Sequence, residues 1–397
     1  MRAEPLSGEL LIDFGLQPVS NRFLPPESTD VVPDFPLQLR IDADTGLIHL
    51  GTPFPVEALR PRYDWLTCFE PEDHLDDLAR QLVALPGIAR DSVFGAYSFK
   101  DDSMLRRLER LGYAKTWRID PAEDLAVSDP CANVETYQRE LTSARALAIA
   151  ARRGRVDVMI VRHVAEHAHN LHAFIDAIRV MVKPGGYIVW EVPDCERVLM
   201  MGDCTTVWEE HQYYFTSYTF RRVLLDAGFK VVDYASVPYV LENSLVAIVQ
   251  EGNDQPDPVE PIAVAIEMER ARHFVQKITA RHLAVHNKLE YWRRTRGEIA
   301  LFGAGHLSCA FLSLMQISPL ISCVIDDNPN KKGLQMPVGG LQIAGSEVLG
   351  SGRIRVCLLG LNPLNQAGVI AKHQKFVDQG GIFASIFPGS ALDLELM

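Results

Sequence analysis

Residues 156–194 read VDVMIVRHVAEHAHNLHAFIDAIRVMVKPGGYIVWEVPD, and this stretch decides the fold. Val156–Val161 is an apolar run of strand length, and His172–Val182 has the apolar spacing of an amphipathic helix. A Pro-Gly-Gly break follows at 184–186, before Tyr187–Val192, which is rich in β-branched and aromatic residues. The order strand, helix, strand predicts a parallel sheet with crossovers, whose ligands bind beyond the carboxyl ends of the strands.

Polar residues follow both predicted strands and are expected to meet at that edge of the sheet: His163, Glu166, His167 and Asp194. The segment 208–215, WEEHQYYF, comes soon after and combines one imidazole, two carboxylates and four aromatic rings. An imidazole can remove a proton near neutral pH, and a carboxylate beside it can stabilise the cation that forms. We interpret the segment as part of an active site; a helix cap beneath an aromatic cluster is the structural alternative.

Several segments resemble one family in the expected order along most of the chain. They are RHVAEH (162–167), KPGGYIVWEVPD (183–194), WEEHQYYFT (208–216), LLDAGFKVVD (224–233), LLIDFGLQPVSNRFL (10–24), LFGAGHLS (301–308) and VIDDNPNKKGLQMP (324–337). Together they resemble the S-adenosylmethionine-dependent sugar C-methyltransferases of deoxysugar biosynthesis, which act on nucleotide-linked keto-sugars. The resemblance implies an α/β fold: a class I methyltransferase Rossmann-like sheet, a small β-rich N-terminal domain and a C-terminal Rossmann-like domain.

The chain divides into three predicted domains. Residues 1–73 form the small β-rich domain, 74–255 the methyltransferase domain, and 256–397 a linker, a long helix and the nucleotide-sugar-binding domain. The boundary between the second and third domains falls in Glu251–Pro261, where three prolines accompany acidic and polar residues. Ile262 to about Trp292 lacks Pro and Gly and predicts the long helix.

The resemblance also implies a catalytic set. His211 is the base that removes a proton from the carbon next to a ketone, which gives an enolate that can accept a methyl group. Glu210 lies beside it in the sequence, and His167 is a second histidine able to hydrogen-bond the keto oxygen as negative charge builds there. Tyr63 occupies the place of a tyrosine that the N-terminal domain contributes.

S-adenosylmethionine is the implied cofactor. A short strand ending near Phe94 runs into residues 95–103, GAYSFKDDS, where the family has a richer glycine loop. We expect Asp101 to hold the ammonium group of the cofactor and Asp120, after the strand Thr116–Ile119, to take its ribose hydroxyls. Gly95, Ser98 and His163 complete the predicted cofactor site.

Substrate residues are expected in both larger domains. Glu298–Phe302 predicts a strand that runs into a Gly-x-Gly-x-x-Ser turn, and Asp326 follows the next strand about twenty residues on, the spacing of a Rossmann-type unit. A nicotinamide cofactor is the rival ligand for this turn. The predicted substrate-binding residues are Tyr214, Asn243, Gly303, Gly305, His306, Asp326 and Lys332. Glu242, Asn243 and Val246 depart from the family pattern, which suggests a different sugar or acceptor.

No metal site is expected. Family members carry two Cys-x-x-Cys pairs near the N-terminus, whereas residues 1–10 and 39–50 contain no cysteine, so we predict an N-terminal domain without zinc. The histidines at 163, 167, 169 and 172 are spaced onto different faces of a helix. The seven cysteines of the chain are scattered without metal-like pairing, as in proteins of a reducing compartment.

Composition limits the partners. The chain has 397 residues, 47% of them hydrophobic, and a formal net charge of −12, which argues against electrostatic capture of nucleic acid or anionic lipid. No apolar run approaches membrane-spanning length and no signal peptide is recognised. We expect a cytoplasmic monomer or homodimer whose partner is a small-molecule nucleotide sugar.

Two alternatives stay open at this point. His211 could deprotonate a heteroatom, which would make the protein an O- or N-methyltransferase on a related substrate. The degenerate glycine loop could also have lost the cofactor, which would leave a nucleotide-sugar-binding protein or a non-methylating enzyme.

Overall fold

The computed structural model describes residues 8–66, 70–252 and 259–397. They form three sheets of four, six and five strands, each with its own helices. Residues 1–7 lie outside the described part of the chain, and they make up most of the first stretch in which the family carries zinc cysteines. Residues 253–258, which make up most of the predicted linker, also lie outside it.

The first sheet is antiparallel and its fourth strand comes from far along the chain. Its elements are β1 (Glu9–Pro18), β2 (Asp34–Ile41), β3 (Ile48–Leu50) and helix α1 (Val56–Leu59). The predicted hairpin is present, with Leu39 opposite Leu50. Alternate residues of β2 are buried, so one face of the sheet packs on the C-terminal part of the molecule.

The second sheet has the order expected of a class I methyltransferase. Its elements are α2 (Leu75–Val83), β4 (Phe94–Ala96), α3 (Asp102–Arg110), β5 (Thr116–Arg118), α4 (Pro121–Leu125), α5 (Val134–Tyr137), α6 (Ser143–Arg153), β6 (Val156–Arg162), α7 (Leu171–Val180), β7 (Val182–Asp194), α8 (Glu196–Met201), β8 (Tyr213–Tyr214), α9 (Ser217–Asp226), β9 (Phe229–Val237) and β10 (Asn243–Glu251). The order is β5-β4-β6-β7-β10-β9. The first four strands are parallel, and β10 runs antiparallel between β7 and β9. Strand β8 leaves this unit and pairs with β3.

The third sheet is wholly parallel. Its elements are α10 (Pro261–Thr295), β11 (Glu298–Phe302), α11 (His306–Leu314), β12 (Cys323–Ile325), β13 (Ile343–Ala344), β14 (Ile354–Leu359), α12 (Pro363–Lys372), α13 (Gln374–Asp378) and β15 (Ile382–Ser385). The order is β13-β12-β11-β14-β15. Parallel strands with helical connections give the Rossmann-like fold that the resemblance implied. Within the described ranges, the helices do not combine the length and apolar composition that spanning a bilayer requires.

Two predicted boundaries were wrong, for local reasons. The Pro-Gly-Gly sequence at 184–186 does not separate the helix from the strand, because β7 already begins at Val182 and runs through it with a register shift against β6. Strand β4 begins at Phe94 rather than ending there, so Gly95 lies within the strand and not in the loop after it. A Cβ on Gly95 would lie 2.8 Å from Cγ1 of Val156 and 2.9 Å from Sδ of Met159. Close packing against β6 therefore explains this glycine.

Candidate active site

The segment around His211 is fixed between two sheets by its own backbone. The N–H of Gln212 donates to the carbonyl of Glu166 at 2.7 Å, and the N–H of Leu50 donates to the carbonyl of Gln212 at 2.9 Å. Glu166 lies in a single 3₁₀ turn, Ala165–His167, just after β6. The predicted convergence of these segments at the carboxyl edge of the sheet is therefore present.

His167 and His211 form an edge-to-face pair at this junction. Their ring centroids are 4.7 Å apart and the rings cross at 70°. Nδ1 of His167 contacts the carbonyl oxygen of Glu210 at 2.9 Å, so this nitrogen carries the proton and donates. Nε2 of His167 consequently presents a lone pair. His211 is half-buried, and no hydrogen bond to its ring nitrogens occurs within the described ranges.

A carboxylate accompanies the two histidines. Nε2 of His167 lies 3.7 Å from Oε1 of Glu166, and ligand atoms of Glu166, His167 and His211 all lie within 4.8 Å of one another. Oε2 of Glu166 is buried and has no hydrogen-bond partner among the described residues. Glu210, named from the sequence as the neighbour of His211, accepts a hydrogen bond from Nδ2 of Asn21 at 3.2 Å.

Both imidazoles are neutral at physiological pH. Burial, followed by the effect of His167 and His306, holds the pKa of His211 well below its ordinary value. Burial and the charge of Lys100 do the same to the pKa of His167. A neutral His211 can accept a proton, which is the property that a base requires.

Aromatic contacts bring the C-terminal domain to this pair. The indole of Trp208 lies 5.2 Å from the ring of His211 and stacks on His306 with centroids 4.3 Å apart and planes at 17°. His306 is the first residue of α11, directly after the second glycine of the Gly-x-Gly turn. Tyr214 donates its hydroxyl to the carbonyl of Trp208 and accepts from its N–H, both at 3.1 Å. It therefore holds the turn that carries Trp208.

A buried network of charges lies beside the histidine pair. Nε of Arg162 donates to Glu191 at 2.5 Å, and the other carboxylate oxygen of Glu191 lies 3.1 Å from Nε2 of His163. Nζ of Lys100 contacts Oε1 of Glu70 and the carbonyl of His163, both at 2.9 Å. Burial opposes the charge on His163, yet Glu70 and Glu191 raise its pKa to about 10. His163 adopts a positive φ of 51°, an uncommon conformation for a residue other than glycine.

The residues predicted for the cofactor have divided roles. Ser98 caps the turn Phe99–Asp101 and accepts from the N–H of Lys100. Oδ2 of Asp101 accepts from the N–H groups of Tyr97 and Ser98 at 3.2 and 2.9 Å, while Oδ1 is buried without a partner within the described ranges. Oδ1 of Asp120 caps α4 through two N–H groups at 2.9 Å. An unpartnered acceptor on Asp101 and a half-exposed carboxylate on Asp120, after neighbouring strands, fit an ammonium group and ribose hydroxyls.

In the C-terminal turn, the glycines behave differently from each other. Gly303 has a φ of 108° and a Cβ there would lie 3.0 Å from the carbonyl oxygen of Gly360. No atom would lie within 4 Å of a Cβ on Gly305, so this position opens into free space. Oδ2 of Asp326 accepts a hydrogen bond from the N–H of Ala304 at 2.9 Å, so this oxygen stabilises the turn.

The lysine at the turn is Lys331, one residue before the predicted Lys332. Nζ of Lys331 donates to the carbonyl of Ala304 at 2.6 Å and lies 3.3 Å from Asp326. Lys332 contacts Glu347 at 3.5 Å on the surface. A lysine pair in the sequence gives no signal for which member turns inward.

Two further predicted residues have structural partners. The hydroxyl of Tyr63 donates to the carbonyl of Phe23 at 3.1 Å, and its ring stacks on Trp65 at 4.8 Å. Oδ1 of Asn243 accepts weakly from the N–H of Tyr239 at 3.4 Å. Neither contact places the side chain against the histidine pair.

Two family models match the chain. A "methyltransferase domain" matches residues 100–234, and a "C-methyltransferase C-terminal domain" matches residues 260–388. The chain therefore carries a methyltransferase domain, and its C-terminal part is similar to that of C-methyltransferases. The first model covers β5, β6, β7, most of β9 and the His211 segment, and the second covers the parallel C-terminal sheet with His306. These two parts meet at Trp208.

Individual relatives also match parts of the chain. C-methyltransferase NovU of Streptomyces niveus is 27% identical over 115 residues, which are 29% of this chain and 27% of that protein. The match thus spans about a quarter of the length of the curated relative. A methyltransferase of Clostridium acetobutylicum covers 46% of this chain and 93% of its own, with 9% identity and a TM-score of 0.31. The 1,6-didemethyltoxoflavin-N1-methyltransferase of Burkholderia thailandensis covers 46% and 80%, with 15% identity and a TM-score of 0.31.

Proposed function

We propose that the protein is an S-adenosylmethionine-dependent C-methyltransferase that acts on a nucleotide-linked keto-sugar, with His211 as the base. One observation carries the proposal: a neutral, half-buried imidazole lies where the methyltransferase sheet, the N-terminal sheet and the C-terminal Rossmann-like unit meet. A substrate with a sugar at one end and a nucleotide at the other suits this junction. The family models support the reaction class.

The chain's residues would divide the work as follows. His211 takes a proton from the carbon next to the ketone, and the carboxylate of Glu166 stabilises the imidazolium that results. Nε2 of His167 would accept a hydrogen bond from a hydroxyl group of the substrate and so orient the sugar. In this tautomer His167 has no Nε2 proton to donate to the keto oxygen, the role that the resemblance implied.

Asp101 and Asp120 would hold the cofactor, at its ammonium group and its ribose. S-adenosylmethionine, when bound there, supplies an electrophilic methyl group. Isothermal calorimetry with S-adenosylmethionine and with its demethylated product tests this part, and absence of binding by both would contradict it.

The base is tested by deuterium exchange at the sugar carbon in heavy water, without the cofactor. The wild type is expected to exchange the carbon-bound proton. His211→Ala should exchange it at least about a hundredfold more slowly, as for other general bases. Cofactor affinity of the variant should remain close to that of the wild type. Methylation without any exchange would instead favour transfer to oxygen or nitrogen.

A further inference from the structure

The group Glu166, His167 and His211 also has the composition of a transition-metal site. Two imidazoles and one carboxylate are the protein ligands of many open zinc sites, in which a fourth position stays free. In such a tetrahedral site the ligand atoms are roughly 3.3–3.5 Å apart. Here they lie within 4.8 Å of one another, and Nε2 of His167 is 3.7 Å from Oε1 of Glu166. Small side-chain rotations would bring the three ligand atoms to the spacing of a tetrahedral zinc site.

The backbone prepares the ligands for this geometry. The bond from the N–H of Gln212 to the carbonyl of Glu166, at 2.7 Å, joins the two turns that carry them. The bond between Nδ1 of His167 and the carbonyl of Glu210, at 2.9 Å, fixes the tautomer and leaves the lone pair on Nε2. A hydrogen bond of this kind orients most metal-binding histidines.

A second observation points to a ligand. Glu166 is 2% exposed, and its Oε2 is buried with no partner within the described ranges. A buried carboxylate oxygen without a donor is costly, and a bound cation would satisfy it. The positive His163 lies 3.7 Å from Oε1 of the same carboxylate, but Glu191 and Glu70 also contact that imidazole. His163 would therefore keep its partners when a metal takes Glu166.

We propose that Glu166, His167 and His211 bind one zinc ion, and that its binding inhibits the enzyme by occupying the lone pair of His211. Zinc fits better than Mg²⁺ or Ca²⁺, because those ions prefer oxygen ligands. The binding is independent of the proposed function. The inhibition rests on it, because it requires His211 to be the base.

Binding is measured on the full chain after treatment with a chelator and buffer exchange. Calorimetry with Zn²⁺ should give one site per chain, and Co²⁺ should give visible ligand-field bands that Zn²⁺ abolishes. Glu166→Gln and His167→Ala should each weaken Zn²⁺ binding by at least about tenfold. The exposed residues His172 and Glu290 provide matched controls, since His172→Ala and Glu290→Gln should bind like the wild type.

If a variant does not fold, the wild-type protein alone can test the zinc site. Zn²⁺ should then raise its melting temperature, because the ion binds the folded state, and a chelator should reverse the rise. Absence of saturable binding up to about millimolar Zn²⁺ overturns the site, as does wild-type affinity in all three folded variants Glu166→Gln, His167→Ala and His211→Ala.

Deuterium exchange separates the two parts of the proposal. Loss of exchange when Zn²⁺ is added, and its recovery with chelator, supports inhibition. Full exchange by the zinc-loaded protein overturns inhibition but leaves the binding site. If zinc binds and neither the metal-free nor the loaded protein exchanges, the proposed function fails while the metal site stands.

Discussion

Asp101→Asn should make the stability of the protein less dependent on pH. Asp101 is fully buried, and burial raises the pKa of this carboxyl from 3.8 to about 7 in spite of Arg162. The folded protein therefore holds a proton that the unfolded chain releases above its ordinary pKa. The stability due to this group is complete below about pH 4 and is lost as the pH rises to about 7.

The magnitude follows from the shift. Each unit of pKa corresponds to about 1.4 kcal/mol, so the whole shift is on the order of 4 kcal/mol and the part between about pH 5 and pH 8 about 3 kcal/mol. Asparagine resembles the protonated acid and keeps an acceptor for the N–H groups of Tyr97 and Ser98. The free-energy difference between variant and wild type should therefore move by about 3 kcal/mol in favour of the variant over that range.

Urea denaturation at several pH values measures this difference. Asp102→Asn is the control, because Asp102 is 40% exposed and pairs with Arg118 at 3.1 Å; its effect should stay within about 1 kcal/mol at every pH. A difference in the free energy of unfolding between Asp101→Asn and the wild type that stays constant with pH would refute the reasoning.

Calorimetry on the same variant should show weaker S-adenosylmethionine binding, since the charge proposed to hold the ammonium group is gone.

Three further predictions concern the neighbouring residues. Arg162→Met should lower the free energy of unfolding by about 3–5 kcal/mol in urea denaturation, because Glu191 loses its closest buried partner. His306→Ala should slow deuterium exchange by up to about tenfold, since the stacking that holds Trp208 is worth about 0.5–1.5 kcal/mol; unchanged exchange would rule out this positioning. Asp120→Asn should keep the cap of α4, because asparagine caps as well as aspartate, yet weaken cofactor binding in calorimetry; unaltered affinity would remove Asp120 from the cofactor site.

Much of the fold could be predicted from local pattern. The apolar run Val156–Val161 and the helix after it gave β6 and α7 to within two residues, because burial on both faces of a parallel strand leaves a continuous apolar signal. The Pro-Gly-Gly sequence led to a wrong prediction of where β7 begins, since glycine and proline also occur in bulged strands. Gly95 misled for a related reason: in a short strand, a glycine needed for packing resembles a glycine needed by a loop.

The site was less predictable, because its contacts are between distant segments. The sequence places Glu210 beside His211, but adjacent residues point in different directions, and it is Glu166 that joins His167 and His211 in a group whose ligand atoms lie within 4.8 Å of one another. The stacking of Trp208 on His306 joins two domains, and neither segment carries a signal for the other. Distinguishing Lys331 from Lys332 required the path of the loop after β12.

The pairing of β8 with β3 ties the order of assembly to the active site. Ile48 pairs with Tyr214, so the N-terminal hairpin must wait for most of the central domain before its sheet is complete. Pairings between such distant segments are slow, because a long loop has to close before any contact repays its entropy. The same strand carries the turn with His211, and the base therefore reaches its position only when this late step of folding is finished.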